Sequence, residues 1–384
     1  MQSVVANSTR RTQAVLHPVF ALTGVMHAIG GPLLPSLVAT FHLNDSQSGL
    51  LFLLYFSGSS IGALLCRGNY VRAMTIGFAA TIACCLLIAI TPWPFLLAAF
   101  FLLGITVGIP MSAVSLFVGR AFPERCAHLL TFLNFTWSAG ALAAPLFAAQ
   151  ILMHHSYRAA YLLLAFAAAA AALVCAFLLQ DAPEPQRFPS ERRGFSNLRL
   201  IAVFALATFL QVGVENTSAA WLSTYSLRMT HAGVVLAAAS TSLYWGGFLA
   251  SRGAASLLLL RTQPRFLFRV AIAIALAAGV LLAAAPSVAL RSLAMFCLGV
   301  ALAPIYPLLV ADFFARARHT SDSRWVMASA GFGGSVLPWI AGWISTLTGT
   351  LRAGILVIPA ALLLMILVLP ALSAPKSEMA IESN

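Results

Sequence analysis

The sequence predicts an all-α integral membrane protein with twelve transmembrane helices, arranged as two pseudo-symmetric six-helix bundles. Three observations lead to this prediction: the composition, the number of long apolar runs, and short patterns that recur in both halves of the chain. Of the 384 residues, 61% are hydrophobic and only 8% are charged. A soluble domain is about half apolar and about a quarter charged, so this composition is that of a membrane protein.

A helix that crosses a bilayer needs about 20 predominantly apolar residues. The twelve runs that meet this requirement, numbered as spans 1 to 12, are residues 14–40, 47–66, 71–91, 94–119, 128–153, 158–180, 199–227, 232–252, 266–286, 290–314, 325–348 and 352–374. The most polar connection is DAPEPQRFPSERRGFSNL at 181–198, with three prolines. It predicts a flexible cytoplasmic linker between an N-terminal bundle (1–180) and a C-terminal bundle (199–384) that ends in a short cytoplasmic tail.

The basic residues predict the orientation of the chain in the membrane. If the N-terminus is cytoplasmic, 18 of the 22 Lys and Arg residues fall on the cytoplasmic side, as the positive-inside rule requires. Both termini are therefore expected in the cytoplasm, with the bacterial inner membrane as the expected location. This distribution accounts for the net charge of +12. Without a basic patch interleaved with aromatic residues, a nucleic-acid partner is not expected.

Three short patterns occur at equivalent places in both halves and in the same order. The pairs are GALLCRG (62–68) with GFLASRG (247–253), LGITVGIP (103–110) with LGVALAPIYP (298–307), and GALAAP (140–145) with GGSVLP (333–338). Repeated bundles of spans, with a binding site at the midplane between them, are typical of secondary transporters.

The chain resembles the major facilitator superfamily. The resemblance lies in the twelve spans, their division six and six, and a Gly-x-Leu-x-x-Arg pattern after spans 2 and 8. The pattern occurs as Gly62, Leu64 and Arg67 and again as Gly247, Leu249 and Arg252. The resemblance implies that Gly62, Arg67, Gly247 and Arg252 belong to gating loops. Cys66 and Ser251 replace the acid of the family pattern, so the implied latch is incomplete.

Two segments are similar to the fucose/glucose permease branch of that family. They are GGPLLPSLVATFHLNDSQSGLL (30–51) and VGVENTSAAWLSTY (212–225), the latter with Val-Gly-x-Glu followed by Trp-x-x-x-Tyr. The fucose-type members carry acids in spans 1 and 4. Here span 1 offers His27, and span 4 has no ionisable residue in its middle, so that pattern of proton coupling is not supported.

Glu215 is the one acid of ten predicted to lie in the interior of a span, the others falling in loops, tails or span ends. An ionisable residue inside the membrane is costly and usually functional. The resemblance implies that spans 1, 4, 7 and 10 line a central cavity, which places Glu215 in its wall. There it could carry a proton or accept hydrogen bonds from sugar hydroxyls. The alternative is a structural carboxylate bonded to a neighbouring helix.

His27 is the histidine predicted deep within a span. It could relay a proton or pair with Glu215; equally, it could be neutral and donate to a carbonyl freed by Gly30-Gly31-Pro32. Gln211 lies one turn before Glu215, and Asn134 and Trp137 share a face of span 5. With Trp221 and Tyr306 they form a polar and aromatic set suited to a sugar, although each alone could serve helix packing.

The sequence contains no zinc-protease, hydrolase or Walker motif, so neither an enzyme nor an ATP-driven pump is expected. No metal site and no cofactor are predicted. The predicted function is proton-coupled uptake of a monosaccharide or similar small polar solute. The alternatives are an efflux antiporter for hydrophobic or cationic compounds and a membrane protein that transports nothing. The expected partners are the solute, protons and the lipid bilayer, and a monomer is expected.

Overall fold

A computed structural model describes residues 2–180, 198–230, 233–259, 261–317 and 322–372. Its α-helices are α1 (Gln2–Ala28), α2 (Gly30–Phe41), α3 (Asp45–Leu65), α4 (Tyr70–Ile90), α5 (Leu96–Ala121), α6 (Cys126–Leu152), α7 (Tyr157–Leu178), α8 (Leu198–Thr230), α9 (Val234–Leu259), α10 (Pro264–Ala284), α11 (Val288–Leu302), α12 (Ile305–Arg316), α13 (Ser323–Thr348), α14 (Leu351–Ile355) and α15 (Val357–Leu372). Residues 181–197, which hold most of the predicted linker, and the predicted tail from 373 onward lie outside the described residues.

These helices form the twelve predicted spans. Span 1 comprises α1 and α2, span 10 comprises α11 and α12, span 12 comprises α14 and α15, and every other span is one helix. Within the described ranges, eleven spans are long and apolar enough to cross a membrane. Span 11 is long enough, with 26 residues, but it carries glycine, serine and tryptophan along its length. The predicted fold class and the multi-pass membrane location are confirmed.

The spans of the two halves pack in the same pairwise order. In the first half, span 1 packs on span 5, span 2 on span 4, and span 3 on span 6; in the second half, spans 7, 8 and 9 pack on spans 11, 10 and 12 in turn. Between the halves, span 2 contacts span 11, span 5 contacts span 8, and span 1 contacts span 7. We call the membrane face where span 6 ends and span 7 begins the linker face, and the opposite one the distal face.

Glycines of the recurring sequence patterns lie at close helix crossings. Gly104 of span 4 lies against the carbonyl oxygen of Tyr55, and Gly299 of span 10 lies against that of Tyr244 in the same way. Gly140 of span 5 and Gly333 of span 11 lie equally close to carbonyls of spans 1 and 7. A methyl group at any of these positions would overlap backbone atoms. In a membrane, small residues allow such close approach, and the contact area gained drives helix association.

We therefore expect Gly104→Ala to destabilise the protein by about 1–3 kcal/mol, the usual cost of overpacking. The added Cβ would overlap the carbonyl of Tyr55, a backbone atom that cannot move aside without shifting span 2. The matched control is Gly119→Ala in the same helix, where the new Cβ meets only the Cys126 thiol at 3.8 Å. The melting temperature in detergent is the measurement. Equal melting temperatures for the two variants would contradict this account of the helix crossing.

Candidate functional site

Glu215 lies near the middle of span 7, and its side chain is only partly buried. Among the described residues, its carboxylate makes no hydrogen bond and no salt bridge, so the interhelical bond that a purely structural role requires is not seen. Its charge interacts with the guanidinium of Arg252 and with the hydroxyl groups of Tyr244 and Tyr306. Polar groups of spans 8 and 10 therefore lie within electrostatic range of the carboxylate.

Arg252 lies inside span 8 and not in a loop after it, because α9 continues for about two further turns, to Leu259. The side chain reaches across to the first half of the chain. Its Nη1 atom donates to the carbonyl of Asn134 at 3.0 Å and to the hydroxyl of Ser138 at 2.8 Å. The guanidinium carbon lies 4.6 Å from the ring centroid of Phe248 and 5.6 Å from that of Trp137. Arg252 thus places a positive charge between spans 5 and 8.

The other three residues of the predicted gating loops differ in position. Gly62 and Gly247 lie within helices α3 and α9, where each packs against a backbone carbonyl of the neighbouring span. Arg67 is exposed in the short connection after α3. The two arginines of the repeated pattern therefore occupy different environments, Arg67 at the linker face and Arg252 between the halves.

A cluster of aromatic rings lies where spans 1, 5 and 8 meet. The ring centroid of Trp137 is 5.2 Å from that of His27 and 5.8 Å from that of Trp245. Trp245 in turn lies 5.1 Å from Tyr244. His27 also lines a small cavity inside the first half, together with Tyr55 and Tyr161. The cluster joins residues of both halves at the interface between them.

Several buried polar atoms of this region have no hydrogen-bond partner within the protein. Over the part of the chain that the structure describes, these atoms include Nδ1 of His27, Nε1 of Trp137, Oε1 of Gln211, Oη of Tyr244 and Nε1 of Trp245; Thr224 and Ser242 each have one as well. Buried polar groups are nearly always paired. Four of these residues, His27, Trp137, Trp245 and Tyr244, adjoin one another in the aromatic cluster, and unpaired polar atoms among aromatic rings have the chemistry of a binding site for a small polar molecule.

The remaining predicted residues have additional or different contacts. Gln211 donates from Nε2 to the carbonyl of Leu302, at the break in span 10, at 3.0 Å. Trp221 is fully buried, and its indole N–H donates to the carbonyl of Pro338 at 2.8 Å. Asn134 is exposed and donates to the carbonyl of Leu130 in its own helix. His27 lies beside Asn216, and no bond between His27 and Glu215 is seen among the described residues.

The sequence-based prediction of the site did not include Tyr244, Phe248 and Ser138. Tyr244, Phe248 and Arg252 are spaced four residues apart, so they lie on one face of span 8. Ser138 follows Asn134 by four residues on span 5. This four-residue spacing could have been detected in the sequence. Because the recurring Gly-x-Leu-x-x-Arg pattern assigned Arg252 to a loop, Arg252 was not considered as part of that helix face.

A second set of contacts between the halves lies at the distal face. Asp45, the first residue of α3, is 7% exposed and forms two hydrogen bonds with Arg228 of span 7, at 2.6 and 2.7 Å. Ser345 of span 11 also donates to this carboxylate, and the backbone N–H of Ser46 donates to Thr346. The sequence had placed Asp45 in a loop. In the structure it is a buried carboxylate that connects the first half to the second.

Twelve spans in two matching halves, with a polar and aromatic cluster between the halves, define a membrane transporter and not an enzyme. The chain belongs to the Major Facilitator Superfamily, whose family model matches residues 16–321. A glucose/galactose transporter of Brucella abortus is 26% identical over 362 residues, which cover 86% of this chain and 87% of that protein. This similarity confirms the resemblance to the fucose/glucose permease branch.

Solved structures of the same fold cover almost the whole chain. The nucleoside transporter NupG matches with a TM-score of 0.78 at 12% identity, over 95% of this chain and 100% of that one. The fucose:proton symporter FucP of E. coli matches with a TM-score of 0.66 at 19% identity, over 95% and 99% of the two chains. At these identities the likeness concerns the fold.

Proposed function

We propose that this protein takes up a monosaccharide or a similar small neutral polar solute, together with protons, by alternating access. The observation that carries the proposal is the group of unpaired N–H and O–H donors on Trp137, Tyr244 and Trp245, gathered with Glu215 at the interface of the two halves. A site at that interface is exposed to one side of the membrane or the other when the halves rock, as alternating access requires.

The chemistry of the cluster matches that of a sugar. The indole rings of Trp137 and Trp245 offer apolar faces to the C–H groups of a pyranose ring, while their N–H groups can donate to its oxygens. The carboxylate of Glu215 and the unpaired Oε1 of Gln211 are acceptors for hydroxyl groups. The similarity to a glucose/galactose transporter supports the same class of substrate.

Glu215 is the proposed proton site. Its position near the middle of span 7 supports this role, because taking up a proton removes a negative charge from the membrane interior, where charge is costly. The contact between Asp45 and Arg228 closes the distal face. Together with the polar cluster between the halves, this closure supports a transporter that closes at one membrane face and then at the other. The positive-inside distribution supports cytoplasmic termini in a bacterial inner membrane.

Efflux of hydrophobic cations is less well supported. The guanidinium of Arg252 already occupies the vicinity of the Phe248 and Trp137 rings, the positions that a cationic compound would need. The positive charge of Arg252 also offsets the negative charge of Glu215. A neutral solute meets neither obstacle.

The test is uptake into proteoliposomes under an imposed inward proton gradient, with a panel of hexoses and pentoses. We expect concentrative uptake of at least one sugar by the native chain and its loss in Glu215→Gln, because the amide cannot bind and release the proton. Glu124→Gln, a change of an exposed acid at the linker face, is the matched control and should transport as the native chain does. Extrusion of a cationic dye without any sugar uptake would overturn the proposal.

A further inference from the structure

His27 lies between the aromatic cluster and the small cavity in the first half. Its ring centroid is 5.2 Å from that of Trp137, which belongs to the cluster. It is also 5.2 Å from the ring centroid of Phe56, which lines the cavity. Because the imidazole itself lines the cavity, it is a wall that the cluster and the cavity share.

The cavity is small and mainly apolar. It has room for a group of about the size of one water molecule, and spans 1, 2, 4 and 6 form its walls. Phe52, Phe56 and Leu103 contribute apolar surface to it. Tyr55 also lines it, but its hydroxyl donates to the carbonyl of Met26 at 3.0 Å. The cavity therefore suits a short ligand group with little polar surface.

One nitrogen in the wall of this cavity has no partner. Among the lining residues, all of which lie in the described ranges, Nδ1 of His27 is the buried side-chain atom without a hydrogen bond. Buried polar groups are nearly always paired, so a ligand that pairs with this nitrogen would complete the site. A hydroxyl group both donates and accepts, and it can therefore bind Nδ1 in either tautomer of the neutral imidazole.

The position of His27 in the first half matches that of Glu215 in the second. Gly140 packs against the carbonyl of Ala21 where spans 1 and 5 cross, and His27 follows Ala21 by six residues. In the second half, the glycine of span 11 packs against the carbonyl of Phe209, and Glu215 follows Phe209 by six residues. Each half thus contributes a polar side chain at the equivalent point of its first span.

We propose that His27 and this cavity form the subsite for the hydroxymethyl group of a hexose, and that they distinguish hexoses from pentoses. The inference rests on the proposed function and specifies the class of sugar. The pyranose ring packs against Trp137 and Trp245, its hydroxymethyl carbon lies among the apolar side chains of the cavity, and the terminal hydroxyl pairs with Nδ1 of His27. The pyranose form of a pentose lacks this group and leaves both the cavity and the nitrogen without a ligand.

The test is isothermal titration of the purified full-length chain with D-glucose, 6-deoxy-D-glucose and D-xylose. These sugars share the ring and its hydroxyl groups, and they carry a hydroxymethyl group, a methyl group and a hydrogen atom, respectively, at C5. We expect 6-deoxy-D-glucose to bind roughly five- to tenfold more weakly than D-glucose, because one hydrogen bond is lost. D-xylose should bind about fourfold more weakly again, because one buried carbon is lost.

Two variants assign this preference to the cavity. His27→Phe keeps an aromatic ring beside Phe56 but removes the nitrogen, so D-glucose should bind about as weakly as 6-deoxy-D-glucose while D-xylose binds as it does to the native chain. Leu103→Phe places a larger side chain in the cavity and should weaken D-glucose binding about tenfold or more, with little effect on D-xylose. Leu102→Phe is the matched control, since Leu102 is 44% exposed, and it should bind all three sugars as the native chain does.

Unchanged binding of D-xylose shows that a variant is folded. His27→Gln restores a donor and an acceptor and should recover part of the preference for D-glucose over 6-deoxy-D-glucose. Equal affinity of the native chain for the three sugars would overturn the inference and leave the proposed function in place, since the cavity would then hold no part of the solute. A His27→Phe variant that keeps the native preference would also overturn it. If the native chain binds no sugar of the wider panel, the proposed function fails and the inference fails with it.

Discussion

Replacing Trp137 by phenylalanine is expected to weaken sugar binding by about ten- to hundredfold. The phenyl ring keeps the aromatic face but removes an indole N–H that is buried and has no partner in the protein. A hydrogen bond between such a donor and a bound sugar contributes about 1–3 kcal/mol when the alternative is an unpaired acceptor on the ligand. Trp245→Phe should have a similar effect, because its N–H is buried and unpaired in the same way.

Isothermal titration of the purified variants with the sugar that the native chain transports is the measurement. Trp343→Phe is the control, since Trp343 is 47% exposed and stacks on Trp339 away from the cluster. It should bind as the native chain does. If Trp137→Phe and Trp343→Phe bind with equal affinity, the tryptophans do not donate to the sugar, and the site lies elsewhere along the interface.

The fold could be predicted from the sequence because its main determinants are local. Apolar runs of about 20 residues define spans by length and composition alone, and most of their boundaries agree with the helices to within a few residues. The exceptions are α1, which begins earlier at Gln2, and α9, which ends later at Leu259. The glycines of the recurring patterns were visible as repeats. Their physical role as close helix crossings, such as Gly104 against Tyr55 and Gly299 against Tyr244, became apparent only with the structure.

The candidate site was predictable in part, and the missing part depended on contacts between the halves. Glu215 and Trp137 stood out because polar or aromatic groups inside a span are conspicuous in the sequence. Arg252 was predicted to lie in a loop, since arginine at the end of a span is normally a topology signal. Its bonds to Asn134 and Ser138 join residues more than one hundred positions apart, and no local pattern encodes such a contact.

Asp45 shows the same limitation at the distal face. Its position just after a helix connection, next to an Asn44 that caps α3, is typical of an exposed residue at a helix N-terminus. The pairing with Arg228 and Ser345 buries it instead. Each half could therefore be predicted from the sequence, whereas the contacts between the halves could not. Asp45 and Arg252 were predicted to lie in loops because their partners belong to the other half.

Breaking that distal pairing is expected to open the distal face. Asp45→Asn removes the charge that Arg228 contacts with both terminal nitrogens. Removing one partner of a buried ion pair typically costs about 3–5 kcal/mol; because the arginine here is partly exposed, we expect a smaller cost of about 1–3 kcal/mol. That cost falls on the distal-closed arrangement alone, so the population should shift toward the distal-open one by roughly ten- to hundredfold.

The distance between spin labels at Thr40 and Thr348, both exposed at the distal face, reports the shift, and we expect a longer distance in Asp45→Asn than in the native chain. Asp312→Asn is the matched control. It breaks an ion pair of similar geometry with Arg316, but that pair joins two residues of one helix and bridges nothing between the halves. An equal change in both variants would show that loss of an ion pair loosens the protein generally; a change confined to Asp45→Asn would assign the closure of the distal face to this contact.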